Sequence, residues 1–147
     1  ALAYRAAQTL DRMLGHQDEP NAQLGWAAAK FEAVLGWIPA RKAALYTVVA
    51  AYTMRLRAAG AWRSAREDGP KQASPNHGWP EGAFAGALGV QLGGPLRFGG
   101  RVHDKALLGQ PLRPLTAGVC RQGLTLFLVA SVAAVAVYEA LYWGLHR

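Results

Sequence analysis

Between Ala3 and Leu14 the apolar residues Ala3, Ala6, Ala7, Leu10 and Leu14 recur at helical spacing, while Gln8, Asp11, Arg12 and Gly15 fall on the opposite side. That alternation predicts an amphipathic helix whose polar face is either solvated or the wall of a site. A polar connection from His16 to Asn21 follows, with Asn21 placed to cap a second helix running to about Leu35. Leu24, Ala28, Phe31 and Leu35 share one face of it, and Trp26 and Trp37 suit either a core or a membrane interface. A third helix is expected from Pro39, apolar from Ala43 to Met54 and bounded by Arg41, Lys42, Arg55 and Arg57. That apolar stretch rises only about 18 Å against a hydrocarbon core of about 30 Å, so a half-inserted or protein-buried helix is preferred to a full crossing. Arg63 to Asn76 reads as a charged, helix-poor connection. Gly123 to Val137 is free of charge, and Glu139 alone interrupts the apolar run to Leu145. Residues 122–145 therefore read as one transmembrane helix, with Tyr138, Tyr142 and Trp143 as its aromatic belt.

Between these regions lies Ser74 to Gly100, where the pattern is set by residues without bulk. Ser74-Pro75-Asn76-His77-Gly78 reads as a turn, and Pro80 as the first residue of a helix with Glu81 at its positive end. Gly78, Gly82 and Gly86 recur every fourth residue, leaving one helix face almost without side chains and open to close approach by another backbone. The helix is expected to end at Gly93-Gly94-Pro95, and Gly99-Gly100 follows Arg97 and Phe98. Tight helix packing explains such a stretch. So does a substrate site in which backbone amides and the arginines Arg97 and Arg101 hold an anion.

Composition narrows the class. The 147 residues are 52% hydrophobic and carry 16 Lys and Arg against 9 Asp and Glu, a net charge of +7. This mixture fits a mainly α, integral membrane helical protein with amphipathic or interfacial helices, and it favours anionic partners such as lipid headgroups or a phosphorylated substrate. Basic residues are scattered among apolar segments without any nucleic-acid-binding motif, so no nucleic-acid partner is expected. Ten basic residues between Arg55 and Arg121 face four acidic ones, which puts the glycine-rich segment on the cytosolic side and the C-terminus outside. One cysteine, Cys120, excludes an internal disulfide. Phosphate-loop, GxSxG and HExxH signatures are absent, and the four histidines lack metal-ligand spacing, so no metal site is expected.

Three stretches carry a resemblance. Ser74 to Gly94, SPNHGWPEGAFAGALGVQLGG, is similar to the SPN-G-WPEAA-AGALGV-LGG signature of the CbiB/CobD cobalamin-biosynthesis proteins. Thr9 to Gly15 resembles that family's TLD-M-G segment, and Ile38 to Arg41 its IPAR, in the family's order. The resemblance implies one CbiB/CobD-like domain over residues 1–147, forming the C-terminal half of a longer, multi-pass protein of the bacterial inner membrane. It also implies formation of an amide between adenosylcobyric acid and aminopropanol or its phosphate, using ATP and Mg²⁺ with no tightly bound cofactor. Other corrin-pathway enzymes are the partners it suggests, beside the lipid bilayer.

On that reading Asp11, Glu32 and Glu81 supply a carboxylate for Mg²⁺ or for the amine proton. Arg12, Arg41, Arg97 and Arg101 hold anions, Trp79 with Phe84 meets the corrin ring, and Ser74, Asn76, Gly93 and Gly94 shape the substrate pocket. The chain departs from the family pattern at Ala33, Gly36, Gln72, Ala73 and Phe98, which keeps a second reading open: a non-catalytic membrane homologue like the AmpE-type regulatory proteins, with the glycine helix kept for packing.

Overall fold

Alanine-rich sequence carries the first described helix, α1 (Ala22–Thr53), straight through Pro39. Two helices separated before Pro39 were expected; the structure instead has one. Proline forfeits the bond to the Leu35 carbonyl, but one lost bond leaves the rest of the ladder in place, and the helix-favouring Ala40, Ala43 and Ala44 follow it. This computed structural model describes Thr9, residues 22–99 and residues 101–146; the expected helix over 3–14, with Asp11 and Arg12, otherwise lies outside the described residues. The chain divides into two units, Ala1–Pro39 and Ala40–Arg147. In the first, Lys30 Nζ stands 6.0 Å from the Trp26 ring centre, and Trp26, Phe31, Val34 and Trp37 are exposed.

The second unit is built on small residues. Ala40, Ala44, Thr47 and Ala51, at the four-and-three spacing of one helix face, are buried along α1. Ala44 and Ala51 cluster with Ala65 and Ala61 of a second helix, α2 (Ala58–Glu67), whose second half occupies the start of the helix-poor connection expected from Arg63 to Asn76. Ala61, Ser64 and Ala65 are its buried face and Arg63, Arg66 and Glu67 are exposed. A single 3₁₀ turn (Gly69–Lys71) leads to α3 (Pro75–Leu88). Pro75, not Pro80, opens α3: the Ser74 carbonyl accepts the N–H groups of His77 and Gly78 at 3.0 and 3.1 Å, so the expected turn is the helix's first turn.

The glycine face of α3 meets α2 and the 3₁₀ turn backbone to backbone. A Cβ on Gly86 would lie 2.1 Å from the Gly60 carbonyl oxygen, one on Gly82 2.6 Å from that of Ser64, and one on Gly78 2.0 Å from that of Gly69. Partner numbers fall as the glycine numbers rise, so the two helices run antiparallel. Around this contact Ala50, Ala51, Ala61, Ala87, Leu88, Val90, Val119, Leu126 and Ala130 form one buried cluster, and Ala44, Ala65 and Ala83 another.

Beyond α3 the expected helical continuation and polar return are an antiparallel hairpin, β1 (Leu92–Phe98) and β2 (Arg101–Leu108), with Phe98 opposite Arg101 and Leu92 opposite Leu108. The register shifts between Leu92 and Gly94, where Gly93 adopts φ 102° and its missing Cβ leaves room for the Ala106 carbonyl. Asp68 anchors the hairpin's end: its carboxylate accepts the Gly109 N–H at 2.9 Å and the Lys71 ammonium at 2.6 Å.

Thr116 caps the last helix, α4 (Ala117–Leu145), by accepting the Val119 N–H at 3.4 Å. The helix thus starts five residues before the expected span. At 29 residues it is about 44 Å long and apolar enough to cross a membrane. Val119, Leu126 and Ala130 are buried, while Leu124, Phe127, Leu128, Val132 and Val135 are exposed. Among the described residues the architecture is mainly helical, as expected, with one hairpin added.

Two stability experiments follow from these contacts. Gly86→Ala should cost about 3 kcal/mol, since its methyl cannot coexist with the Gly60 carbonyl and the helices must separate. Gly144→Ala, in open space on α4, should gain about 0.5–1 kcal/mol from helix propensity alone. Equal unfolding midpoints for the two variants would refute the close-approach account. For Asp68, partial burial raises the carboxyl's pKa, but the hydrogen bonds from Lys71 and Gly109 and the Lys71 charge outweigh it and hold the group below its usual range. Its stabilisation is therefore complete above about pH 4 and is lost as the pH falls through the lowered folded-state value. Thermal melts of Asp68→Asn should lie below wild type at pH 7, with the gap closing towards pH 2.

Candidate substrate-binding site

Two of the stretches singled out by sequence meet at the Pro75 end of α3. Arg41, two residues after Pro39 in α1, donates from Nη1 to Asn76 Oδ1 at 3.1 Å, across 35 residues of chain. Its guanidinium carbon lies 4.9 Å from the centre of the Trp79 ring. Asn76 and Trp79 are three apart, so one helix face presents both to the same arginine. Trp62 of α2 meets Trp79 edge-on, with ring centres 6.1 Å apart and planes at 73°. Partial burial draws the Arg41 guanidinium below its ordinary pKa. The Trp79 indole N–H is buried without an acceptor among the described residues.

This arrangement pre-sets an anion-recognising corner. Arg41 is held by a hydrogen bond and by a ring beneath it, which lowers the entropy lost when its fork engages a carboxylate or phosphate. A buried, unpaired indole N–H beside it is a donor that an acceptor atom would satisfy.

The remaining candidates are distributed as follows. Ser74 sits at the N-cap of α3 without using its side chain as a cap. Glu81 is exposed and accepts from Gln72 Nε2 at 3.0 Å. Five residues after Asn76 and two after Trp79, it projects from the side of α3 away from Trp79. Gly93, Gly94 and Arg97 belong to β1, with Arg97 exposed, and Arg101 opens β2. Phe84 packs against the larger apolar cluster instead of joining Trp79. Glu32 is half-buried on α1 within the Ala1–Pro39 unit. Asp11 and Arg12 lie outside the described residues. Among the described residues no group of three His, Cys, Asp or Glu could hold a metal ion.

Sequence reasoning missed Trp62, which stood in a stretch whose small buried residues hid the helix, and marked Gln72 only as a departure from the family pattern, without its contact to Glu81.

Comparison with known proteins follows the same stretches. The family model for the CobD/Cbib protein matches residues 1–127. A cobalamin biosynthesis protein CobD from Geobacter metallireducens is 46% identical over 121 residues, which are 82% of this chain and 38% of that protein. CobD from Synechocystis sp. is 38% identical over 98% of this chain and 42% of its own length. A cobalamin biosynthesis protein CbiB from Salmonella paratyphi B is 37% identical over 99% of this chain and 46% of its own length. The chain thus spans less than half the length of these relatives. No solved structure gives a significant match.

Replacing Arg41 by Lys keeps the charge but removes the planar fork and much of the stacking. Arg41→Lys should lower the unfolding free energy by roughly 1–2 kcal/mol. An unchanged denaturation midpoint would show that the arginine, asparagine and tryptophan contacts contribute nothing to the fold.

Proposed function

The chain belongs to the CobD/CbiB family, and we propose that it forms the substrate-binding half of a cobalamin-biosynthesis enzyme joining aminopropanol, or its phosphate, to adenosylcobyric acid. The observation that carries this reading is the contact of Arg41 with Asn76 and Trp79, which brings the IPAR and SPN-G-WPE stretches into one corner. Residues that merely cap or space helices have no need to converge on one cation.

An amide cannot form from a carboxylate and an amine at neutral pH without activation. In the proposed reaction the carboxylate oxygen takes the terminal phosphoryl group of ATP, ADP leaves, and the amine nitrogen attacks the acyl carbon as phosphate departs. This chain's residues would then bind and orient. Arg41 and the Trp79 N–H would hold an anionic oxygen, and Asn76 would fix the arginine. Glu81 lies mid-helix on the side of α3 away from Trp79, and a substrate reaching around the helix would let it approach Mg²⁺ held by the nucleotide or take the amine proton. Arg97 and Arg101 on the hairpin, with Gly93 and Gly94, would contact the anionic edge of the corrinoid. Ser74 remains a candidate for the same pocket, and Asp11, Arg12 and Glu32 remain candidates by resemblance alone.

The proposed setting is the bacterial inner membrane. α4 exposes an unbroken apolar surface long enough for the hydrocarbon core, and the excess of basic residues between Arg55 and Arg121 favours a cytosolic side for the glycine-rich segment. The alternative of a non-catalytic regulator is not favoured, because the relatives bear the names of cobalamin biosynthesis proteins.

Full-length protein given adenosylcobyric acid, aminopropanol phosphate and ATP-Mg²⁺ should yield the amide, detected by mass spectrometry. Glu81→Gln should keep the wild-type melting temperature and lose at least ~100-fold in rate if its carboxylate takes the proton. Absence of product beside an active control enzyme would sink the enzymatic reading, and wild-type turnover by Glu81→Gln would remove that residue from the chemistry.

A further inference from the structure

The ends of α1 and α3 are built alike. At the end of α3 the Val90 N–H reaches the Ala85 carbonyl at 3.1 Å and the Gly89 N–H that of Gly86 at 3.3 Å, with Gly89 left-handed at φ 64°. At the end of α1 the Leu56 N–H reaches Ala51 at 2.7 Å and the Arg55 N–H reaches Tyr52 at 3.1 Å. The left-handed residue there is Arg55, at φ 54°, the one side-chain-bearing residue with positive φ among those described. Glycine fills this position at low cost, and an arginine is strained in it. The turn gains nothing from the side chain, so the side chain's use lies elsewhere.

Arg55 borders a cavity of about 300 Å³, the lower end of the range for small-molecule sites, lined also by Leu56, Arg57, Leu88, Leu112 and Arg113. Arg113 is fixed as one wall: its Nε donates to the Leu88 carbonyl and its Nη2 to Gln122 Oε1. Among the described residues neither Arg55 nor Arg57 makes a side-chain hydrogen bond or meets a carboxylate. A smaller hollow of about 20 Å³ shares Arg57 and Leu112 and adds Arg63. Exposed arginines lining one concavity, with no carboxylate beside Arg55 or Arg57 among the described residues, give it a positive potential that favours a multiply charged anion.

We propose that this cleft binds a phosphate group, carried by a phosphate ester or a polyphosphate, with Arg55 and Arg57 donating to its oxygens and Leu56, Leu88 and Leu112 against its carbon skeleton. Planar arginine forks suit phosphate oxygens, and an apolar floor suits the remainder of such a molecule. The cleft lies at the Leu88 end of α3, about 18 Å along the helix from Asn76, and is a second subsite independent of the amide-forming assignment.

Two sources could supply the phosphate, a soluble metabolite or a lipid headgroup, and binding separates them without any turnover. Detergent-solubilised full-length protein is titrated with inorganic pyrophosphate and, separately, with short-chain phosphatidic acid, using short-chain phosphatidylcholine as the uncharged control. Arg55→Gly relieves the strained turn and should melt at or above the wild-type temperature, yet bind its anion ~10-fold or more weakly; Arg57→Gln should weaken it similarly. Weakening confined to pyrophosphate identifies a soluble ligand, and weakening confined to phosphatidic acid identifies a headgroup. Both variants binding both anions as wild type does would overturn the proposal and leave Arg55 as an ill-suited cap.

Discussion

Everything in the Ala40–Arg147 unit depends on how close α3 can come to α2. Three glycines on one side and the carbonyls of Gly60, Ser64 and Gly69 on the other bring the chain to a separation that no Cβ would permit. Glycine within a helix costs about 0.5–1 kcal/mol against alanine, and α3 bears that cost three times on one face. The return is continuous van der Waals contact between main chains, which replaces the interlocking of large side chains that holds most helical cores. Among the described residues fully buried large side chains are correspondingly few, with Leu108 and Leu126 the largest.

That approach also sets the geometry at both ends of α3. At the Pro75 end it presses Trp79 against Trp62 and under Arg41, so the arginine's position follows from the packing of α2 on α3. At the Leu88 end it aligns the left-handed turn at Gly89 with Arg57, whose backbone N–H donates to the Ala87 carbonyl at 3.3 Å. Asp68 ties the hairpin to the same frame through Gly109. One interface therefore positions an arginine corner at either end of a single short helix.

The parts legible in the sequence were those whose signal is spacing. The four-residue repeat of Gly78, Gly82 and Gly86 announced a close helix contact, and the uncharged run from Gly123 announced α4. The partner of the glycine face was hidden, because α2 buries only the small residues Ala61, Ser64 and Ala65 and sets Gly60 against Gly86, a pattern without the large apolar side chains that mark a buried face. Pro39 and Pro80 read as helix starts and lie inside helices, since flanking contacts outweigh one missing N–H. The hairpin was obscured by the glycines and proline of β1, residues depleted in strands; its one local signal was the Gly99-Gly100 pair between Phe98 and Arg101. The resemblance located Arg41 and Asn76, but only the fold shows that they touch.

Small-residue packing and the bare flank of α4 belong to one physical logic. Where helices sit in lipid, burying large apolar side chains between them gains little, because hydrocarbon solvates those side chains equally well. On α4, the one described helix long and apolar enough to cross a membrane, Leu124, Phe127, Leu128, Val132 and Val135 can accordingly remain directed away from the fold, while the glycine contact of α3 with α2 holds the unit together beside it. In water the same helix would expose an apolar surface well beyond what a monomer tolerates. A core made of glycine and alanine beside a helix that keeps its large side chains outward is thus what the proposed bilayer setting favours. The charged groups of α2, the Asp68 tie and the hairpin form the polar part of the unit.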